Sequence, residues 1–382
     1  MPPPATMIKV RKMLAFLSVA FLIYGGMHLY AISKIWMAFP HSVALLIVLA
    51  LAGLILTFSP LIVWFLGKQN LHGAATAAAW VAYTWMGFLF LFCCTALIFD
   101  LGHIVATLMG FKWRIGELMA LLGIAMPALA LLGYGFLEAG QIRVERVTIT
   151  TPKLISGRVT IAQISDLHLG AMLGGTFLDR IISLLRESRP DIIVATGDIL
   201  DGQGDNLDEL ARHFLVLKPP GGAYAIIGNH EYFAGLETSL RFLRDAGFVV
   251  LRGESAATRG IILAGVDDPT AGAQTREPGS DTRKALIAAS QHEFIVLLKH
   301  QPIVDNDIPF DLQLSGHIHG GQIFPFNYLT RLTYRVSTGL TRLANGRLLY
   351  VSRGAGTWGP PIRLFAPPEI TLITIESRGR PQ

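Results

Sequence analysis

Residues 159–169 read VTIAQISDLHL, an apolar stretch that stops on Asp166-Leu167-His168. A buried strand gains nothing by ending on a carboxylate and an imidazole. Those two side chains are therefore expected at its C-terminal edge, pointing into a site. The pattern recurs in Pro190–Asp198 (PDIIVATGD), ending in Gly197-Asp198, and in Ala223–Glu231 (AYAIIGNHE), ending in Gly228-Asn229-His230-Glu231. Phe294–His300 (FIVLLKH) and Leu312–His319 (LQLSGHIH) add His300, His317 and His319. Five strands are thus expected to deliver metal-ligand residue types to one edge.

Helical patterns alternate with these strands. Thr176 is placed to cap a helix carrying Phe177, Ile181, Leu184 and Leu185 on one face, and Asn206–Leu217 has Leu207, Leu210, Phe214 and Leu217 inward. Leu236, Leu240 and Leu243 mark a third helix, ended by Gly247. The alternation predicts an α/β domain with helices over a largely parallel sheet. Ile142–Thr150 alternates apolar and polar and reads as an edge or half-buried strand. Beyond Phe248 come shorter strands at 248–251, 261–266, 294–299, 347–352 and 369–375, with one helix near Asp281–Ala289; Ala271–Ser280 and Pro325–Asn345 read as loops. Two packed β-sheets flanked by helices, an αββα sandwich, would close the domain.

The N-terminal part is of another kind. Hydrophobic residues make up 52% of the 382-residue chain and charged ones 15%, too apolar for a purely soluble protein. Four transmembrane spans are expected, at Met13–Ile32, Ser42–Leu66, Ala74–Phe99 and Leu118–Leu137. The first is longer than a signal-peptide core and is followed by further apolar runs, so it reads as an anchor. Composition shifts near Glu138, giving a transmembrane region at 1–140 and a second domain at 141–382. Residues 1–137 carry seven basic and two acidic side chains, the whole net charge of +5; the remaining 25 of each sign cancel. A neutral domain has no surplus cations for phosphate backbones, so nucleic acid is not the expected partner. Cys93 and Cys94, adjacent in an apolar run, read as packing residues. Asp100, His103 and Glu117 fall at span ends, where headgroup solvation suffices, no span shows the paired charges of a transporter pathway, and His28, His41 and His72 are also expected at interfaces. Four spans put Lys9, Arg11, Lys12, Lys68, Arg143 and Arg146 on one side against Lys34, Lys112 and Arg114. That bias predicts a multi-pass inner-membrane protein with its catalytic domain in the cytoplasm, whereas splitting Ala74–Met109 into two spans would put the domain outside.

Asp166, His168, Asp198, Asn229, His300, His317 and His319 form a mixed oxygen and imidazole set. Such a set suits Mn²⁺, Fe²⁺ or Zn²⁺ better than Mg²⁺ or Ca²⁺, and Mn²⁺ is the expected ion. Seven ligands are too many for one ion. Two divalent metal ions about 4 Å apart, sharing a carboxylate and a bridging hydroxide, would use them all, an arrangement that serves in-line displacement at phosphorus. His230 follows Asn229 directly and can donate to a phosphate or protonate a leaving oxygen. Arg353 and Arg363 flank the loop GAGTWGPP and could hold a substrate phosphate or form ordinary salt bridges. One Asp-x-His or Gly-Asn-His-Glu alone is more often a capped turn than a metal site; five blocks in order at strand ends are not.

Asp166-x-His168, Gly197-Asp198-x-x-Asp201, Gly228-Asn229-His230-Glu231, His300 and Gly316-His317-x-His319 resemble, in order and spacing, the signature of the calcineurin-like metallophosphoesterases. Lys299-His300-Gln301-Pro302, His319-Gly320-Gly321-Gln322 and Pro367-Pro368-Glu369-Ile370 look like the bacterial membrane-associated branch. The resemblance covers roughly 145–377. It implies that Asp166, His168 and His319 hold one metal, that Asn229, His300 and His317 hold the other, and that Asp198 bridges them. His230 would be the acid that contacts phosphate, and Asp201 and Glu231 would orient ligands. The implied activity is hydrolysis of phosphoester or diphosphate bonds in a phosphorylated small-molecule or lipid substrate. About 20 residues separate Leu137 from the first site strand, which keeps the domain near the bilayer and favours a lipid-linked substrate. A phosphodiesterase of soluble substrates that the spans merely localise is the alternative. A metal-binding sensor or scaffold is a third reading, which an uncoordinated acid at His230 speaks against.

Overall fold

A computed structural model describes residues 5–111, 115–154, 157–201, 207–270, 282–286, 292–305 and 307–378; the side chains of 5–14, 16 and 345 are not among those described. The expected loop at 271–280, the start of the second helix at Asn206, the end of the helix expected near 281–289, and Lys112 and Arg114 of the charge count lie outside the described residues.

Alternation along the strands builds the domain that holds the site. In one six-stranded sheet the order is β1 (Arg143–Thr151), β12 (Glu369–Ser377), β2 (Arg158–Ile164), β3 (Ile192–Thr196), β4 (Ala223–Ile226) and β5 (Val249–Val250). The other runs β10 (Gly339–Arg342), β11 (Leu348–Val351), β9 (Leu312–Ser315), β8 (Phe294–Leu298), β7 (Ile261–Gly265) and β6 (Glu254–Thr258). Residues of one parity, such as Ile161, Ile192, Val194 and Ile226, share a core with Leu263, Val296, Leu298 and Leu314 of the second sheet. Residues of the other parity, such as Ala162, Ile164, Ile193 and Ala195, pack with α5 (Gly175–Ser188), α6 (Leu207–Phe214), α7 (Asn229–Ala234) and α8 (Leu236–Asp245). On the far face of the second sheet, Ile262, Ala264, Ile295 and Leu297 pack with Ala285 of α9 (Thr282–Ala285) and with Leu286. Each buried Ile or Leu contributes about 1.5–3 kcal/mol over exposure, which is why runs apolar on both faces become central strands.

Both sheets are largely parallel, as expected, but each is mixed. β12 runs antiparallel to β2 because the last strand of the chain enters between β1 and β2, and β6 and β10 run antiparallel to their neighbours at the edges of the second sheet. Strands β2, β3 and β4, and likewise β7, β8 and β9, remain parallel, so their C-terminal ends share one edge in each sheet. Thr176 does not cap α5: Gly174 takes that place, with extended backbone and no side-chain cap. The segment read as a loop at Pro325–Asn345 contains α10 (Phe326–Tyr334) and β10. That helix buries none of its residues, so no core-facing pattern marks it.

Contacts divide the chain into a helical unit, Met1–Leu137 with Gly359–Ile362, and a second unit, Glu138–Trp358 with Arg363–Gln382. Three helices of the first, α2 (Val43–Lys68), α3 (His72–Leu108) and α4 (Glu117–Ala139), are long and apolar enough to cross a membrane. The first expected span lies within α1 (Ala5–Ala38), and α3 runs unbroken through the stretch that a fifth span would require. Ser42 caps α2, accepting from the Leu45 amide at 3.1 Å. Two buried or half-buried polar clusters inside this unit are paired. His28, expected at an interface, is buried, with Nδ1 2.9 Å from the Tyr24 carbonyl oxygen and 3.1 Å from Thr57 Oγ1, and with Nε2 accepting from Trp85 Nε1 at 2.9 Å. Lys34 of α1 meets Asp100 of α3 at 2.6 Å, so a charge pair does join two helices there, and the Tyr30 hydroxyl donates to the same carboxylate.

Candidate metal centre

Each candidate ligand stands just past the end of a buried parallel strand: Asp166 and His168 after β2, Asp198 after β3, Asn229 after β4, His300 after β8, and His317 and His319 after β9. The buried strand fixes the backbone, and the first residues freed from the ladder turn inward. Asp166, His168, Asp198, His317 and His319 all adopt left-handed backbone, with φ of 53°, 48°, 53°, 72° and 50°. Residues other than glycine hold such angles at a cost of about 1–3 kcal/mol each, and such angles cluster at functional sites. Two glycines make room for the carboxylates: a Cβ on Gly228 would fall on Asp198 Oδ1, and one on Gly316 would fall on Asp166 Oδ2 and Ser165 Oγ.

The ligand atoms face one another. His168 Nε2 lies 3.0 Å from His319 Nε2, which is 3.4 Å from Asp166 Oδ1. His300 Nε2 lies 3.0 Å from Asp198 Oδ2, 3.2 Å from Asn229 Oδ1 and 3.2 Å from His317 Nδ1. Three overlapping groups could each hold an ion: Asp166, His168 and His319; His168, Asp198 and His230; Asp198, His300 and His317. His300 Nδ1 donates to the Thr196 carbonyl at 2.8 Å, which turns its Nε2 into the site. A buried cluster of imidazole nitrogens with carboxylate and amide oxygens 3.0–3.4 Å apart fits divalent cations with mixed nitrogen and oxygen shells.

Electrostatics follow from this crowding. Burial lowers the His319 pKa well below the ordinary histidine value, with the neighbouring His168 and Arg363 adding to the effect. His317 is pushed down to about 4 by burial and by His300. Burial opposes the charged form of His300 too, but the Asp198 carboxylate outweighs it and raises His300 well above its usual value. Burial would raise Asp198, yet the His300 charge and hydrogen bond hold its carboxyl far below the usual range. The ion-free site is therefore knit by one imidazolium–carboxylate pair.

His230 joins His168 and Asp198 in one of the three groups. Its amide donates to Asp198 Oδ1 at 2.8 Å, its Nδ1 lies 2.8 Å from Asp201 Oδ1, and its ring meets Phe233 and Trp358 edge-on, with centroids 5.5 and 5.7 Å away. Burial lowers its pKa, but Asp201 and Asp198 outweigh burial and the net shift is upward. Glu231, fully buried, accepts from the amides of Asp198, Ile199, Leu200 and Gly228 at 2.6–3.1 Å and so ties the β3 and β4 ends together.

Of Arg353 and Arg363, read as candidate phosphate contacts or salt-bridge partners, Arg353 forms salt bridges and Arg363 reaches the candidate ligand His319, 3.3 Å from both its carbonyl oxygen and its Nδ1. Arg363 is fully buried and donates to the carbonyls of Gly356, Ala366 and Arg353, while Arg353 pairs with Glu145 and Glu369 and donates to the Pro367 carbonyl. Acceptors within and beside the loop 353–368 occupy both guanidiniums. Sequence reasoning also missed neighbours of the site. Tyr334 places its hydroxyl 2.6 Å from His317 Nε2. Asp268, fully buried at the end of β7, accepts from Gln301 Nε2 at 3.1 Å and from the Thr270 amide at 2.8 Å. The run Ile261–Val266 ending in Asp267-Asp268 repeats the pattern of the other site strands and could have pointed to it.

Comparison with known proteins bears on this geometry. The family profile described as Calcineurin-like phosphoesterase matches residues 159–321. An uncharacterized metallophosphoesterase of Aquifex aeolicus is 41% identical over 257 residues, 66% of this chain and 98% of its own length. A second, from Helicobacter pylori, is 34% identical over 65% of this chain and 68% of its own. A transmembrane protein with metallophosphoesterase domain from Danio rerio is 34% identical over 64% of this chain and 60% of its own.

Proposed function

The chain belongs to the calcineurin-like metallophosphoesterases, metal-dependent hydrolases of phosphoester bonds, and from that premise we propose a membrane-anchored two-metal enzyme acting on a phosphoester or diphosphate carried by a lipid. The observation that carries this reading is the convergence of ligand atoms on Asp198, which belongs to two of the three candidate ion groups. Asp166, His168 and His319 would hold one ion and Asn229, His300 and His317 the other, with Asp198 shared. Ions bound there supply positive charge for phosphoryl oxygens and make water acidic enough to attack at neutral pH, with manganese the ion that this shell best suits.

The chain's own residues do the rest. Asp201 holds Nδ1 of His230, which leaves Nε2 to give its proton to the leaving oxygen, and the carboxylates of Asp201 and Asp198 favour the protonated ring. Thr196 fixes the His300 ring, and Glu231 fixes the two turns carrying Asp198 and Asn229. Beside His230, Phe233 and Trp358 are 62% and 55% exposed, an apolar rim that suits a leaving group with hydrocarbon attached.

In this reading α1 supplies a fourth span, and the positive-inside bias places the catalytic domain in the cytoplasm of a multi-pass inner-membrane protein. Hydrolysis of lipid phosphates in detergent is expected to exceed hydrolysis of a soluble chromogenic phosphodiester at equal concentration. The reverse order would assign the enzyme to soluble phosphodiesters.

A further inference from the structure

We propose that α10 and the turn before it form a docking surface for an anionic lipid bilayer. The helix buries no residue, and its Tyr328, Leu329 and Leu332 are 58%, 58% and 76% exposed. The apolar surface continues through Phe324, whose ring meets those of Tyr328 and Phe365 at centroid distances of 5.9 Å each. Contiguous exposed aromatic and aliphatic groups of this kind mark an interaction site.

Charge selects the occupant. The domain is neutral as a whole, yet between Asp311 and Glu369 the sequence has no acidic residue and six arginines. Three of these turn inward: Arg347 donates to the Asp305 and Ile308 carbonyls, and Arg353 and Arg363 hold their loop. The other three, Arg331, Arg335 and Arg342, are exposed on α10, at its end and on β10. A short helix that shows aromatic and leucine side chains among arginines, in a sequence stretch without acids, matches a surface of anionic headgroups over acyl chains. Three residues lie between Ala139, the end of an apolar helix long enough to span, and Arg143, where the domain begins. That short tether gives even a weak surface contact a high effective concentration. α10 ends on Tyr334, whose hydroxyl touches His317, so the lipid-facing helix also borders the metal-ligand cluster.

The test uses the full chain in lipid nanodiscs, with Cys93→Ala and Cys94→Ala removing the native thiols. A fluorophore is attached at Leu332→Cys or, as a control, at Leu215→Cys, an exposed position just past α6. Nitroxide-bearing acyl chains should quench the label at 332 severalfold more than the label at 215. Omitting phosphatidylglycerol, or adding Arg331→Gln with Arg335→Gln, should remove most of that difference. Equal quenching at the two positions, or quenching at 332 indifferent to anionic lipid, would overturn the proposal. So would shielding of the 332 label that follows protein concentration rather than lipid, which would assign the face to a second copy of the chain. Quenching reads lipid contact and not hydrolysis, so its failure leaves the phosphoesterase reading untouched, and loss of activity would leave this one standing.

Discussion

Buried polar groups are met differently in the two units. In the helical unit donors meet acceptors: His28 has a partner on each ring nitrogen, and Lys34 has Asp100. At the strand edge metal-ligand atoms crowd together: His168 faces His319, and His300 faces Asn229, Asp198 and His317. The first arrangement is complete by itself and contributes to packing. The second gathers seven nitrogen- and oxygen-bearing ligand residues at one point, which is what distinguishes a site built for cations from a polar core.

Substitutions can sharpen this contrast. Asp198→Asn should abolish measurable turnover and weaken both ions, because the residue joins two of the three ion groups. Retained metal with lost turnover would mean that Asp198 does not bridge. His230→Ala should lower kcat by about 10²–10⁴ and leave metal content nearly intact, as for a positioned acid rather than a ligand. Metal analysis alongside kcat separates the two roles.

The pH dependence of metal affinity is the next effect in size. His300 is raised above its usual value in the ion-free site, and ligation needs its neutral form, so an incoming ion must displace a proton. Affinity should therefore rise with pH up to the raised pKa, by about tenfold per unit for each proton displaced, and fall as pH drops. Calorimetry in buffers of different ionisation enthalpy should register proton release; its absence would refute the imidazolium assignment. Smallest is Trp85→Phe in the helical unit, which leaves His28 Nε2 without its donor. About 1 kcal/mol of stability should be lost in thermal unfolding, with kcat and metal content unchanged.

Legibility in the sequence followed the same contrast. Strands β2, β3, β4, β8 and β9 were readable because a polar ligand type at the end of an apolar run has nothing to gain in a core and so marks the edge of a site. β6, Glu254–Thr258, and β10, Gly339–Arg342, were not, being short, partly exposed and poor in large apolar residues. α10 hid because a helix that buries nothing has no core-facing stripe. His28 was misplaced because a position in an apolar run says nothing of which neighbours the ring meets, and only the packed helices bring Thr57 and Trp85 to it. The direction of Arg353 and Arg363 was equally hidden, since backbone carbonyls, the main acceptors of Arg363, leave no trace in residue identity.

Metal content tests the central claim most directly. Elemental analysis of the purified full chain should find close to two divalent ions per molecule, and hydrolysis lost on chelation should return with Mn²⁺. Full activity after exhaustive removal of metal, verified on the same sample, would contradict the account.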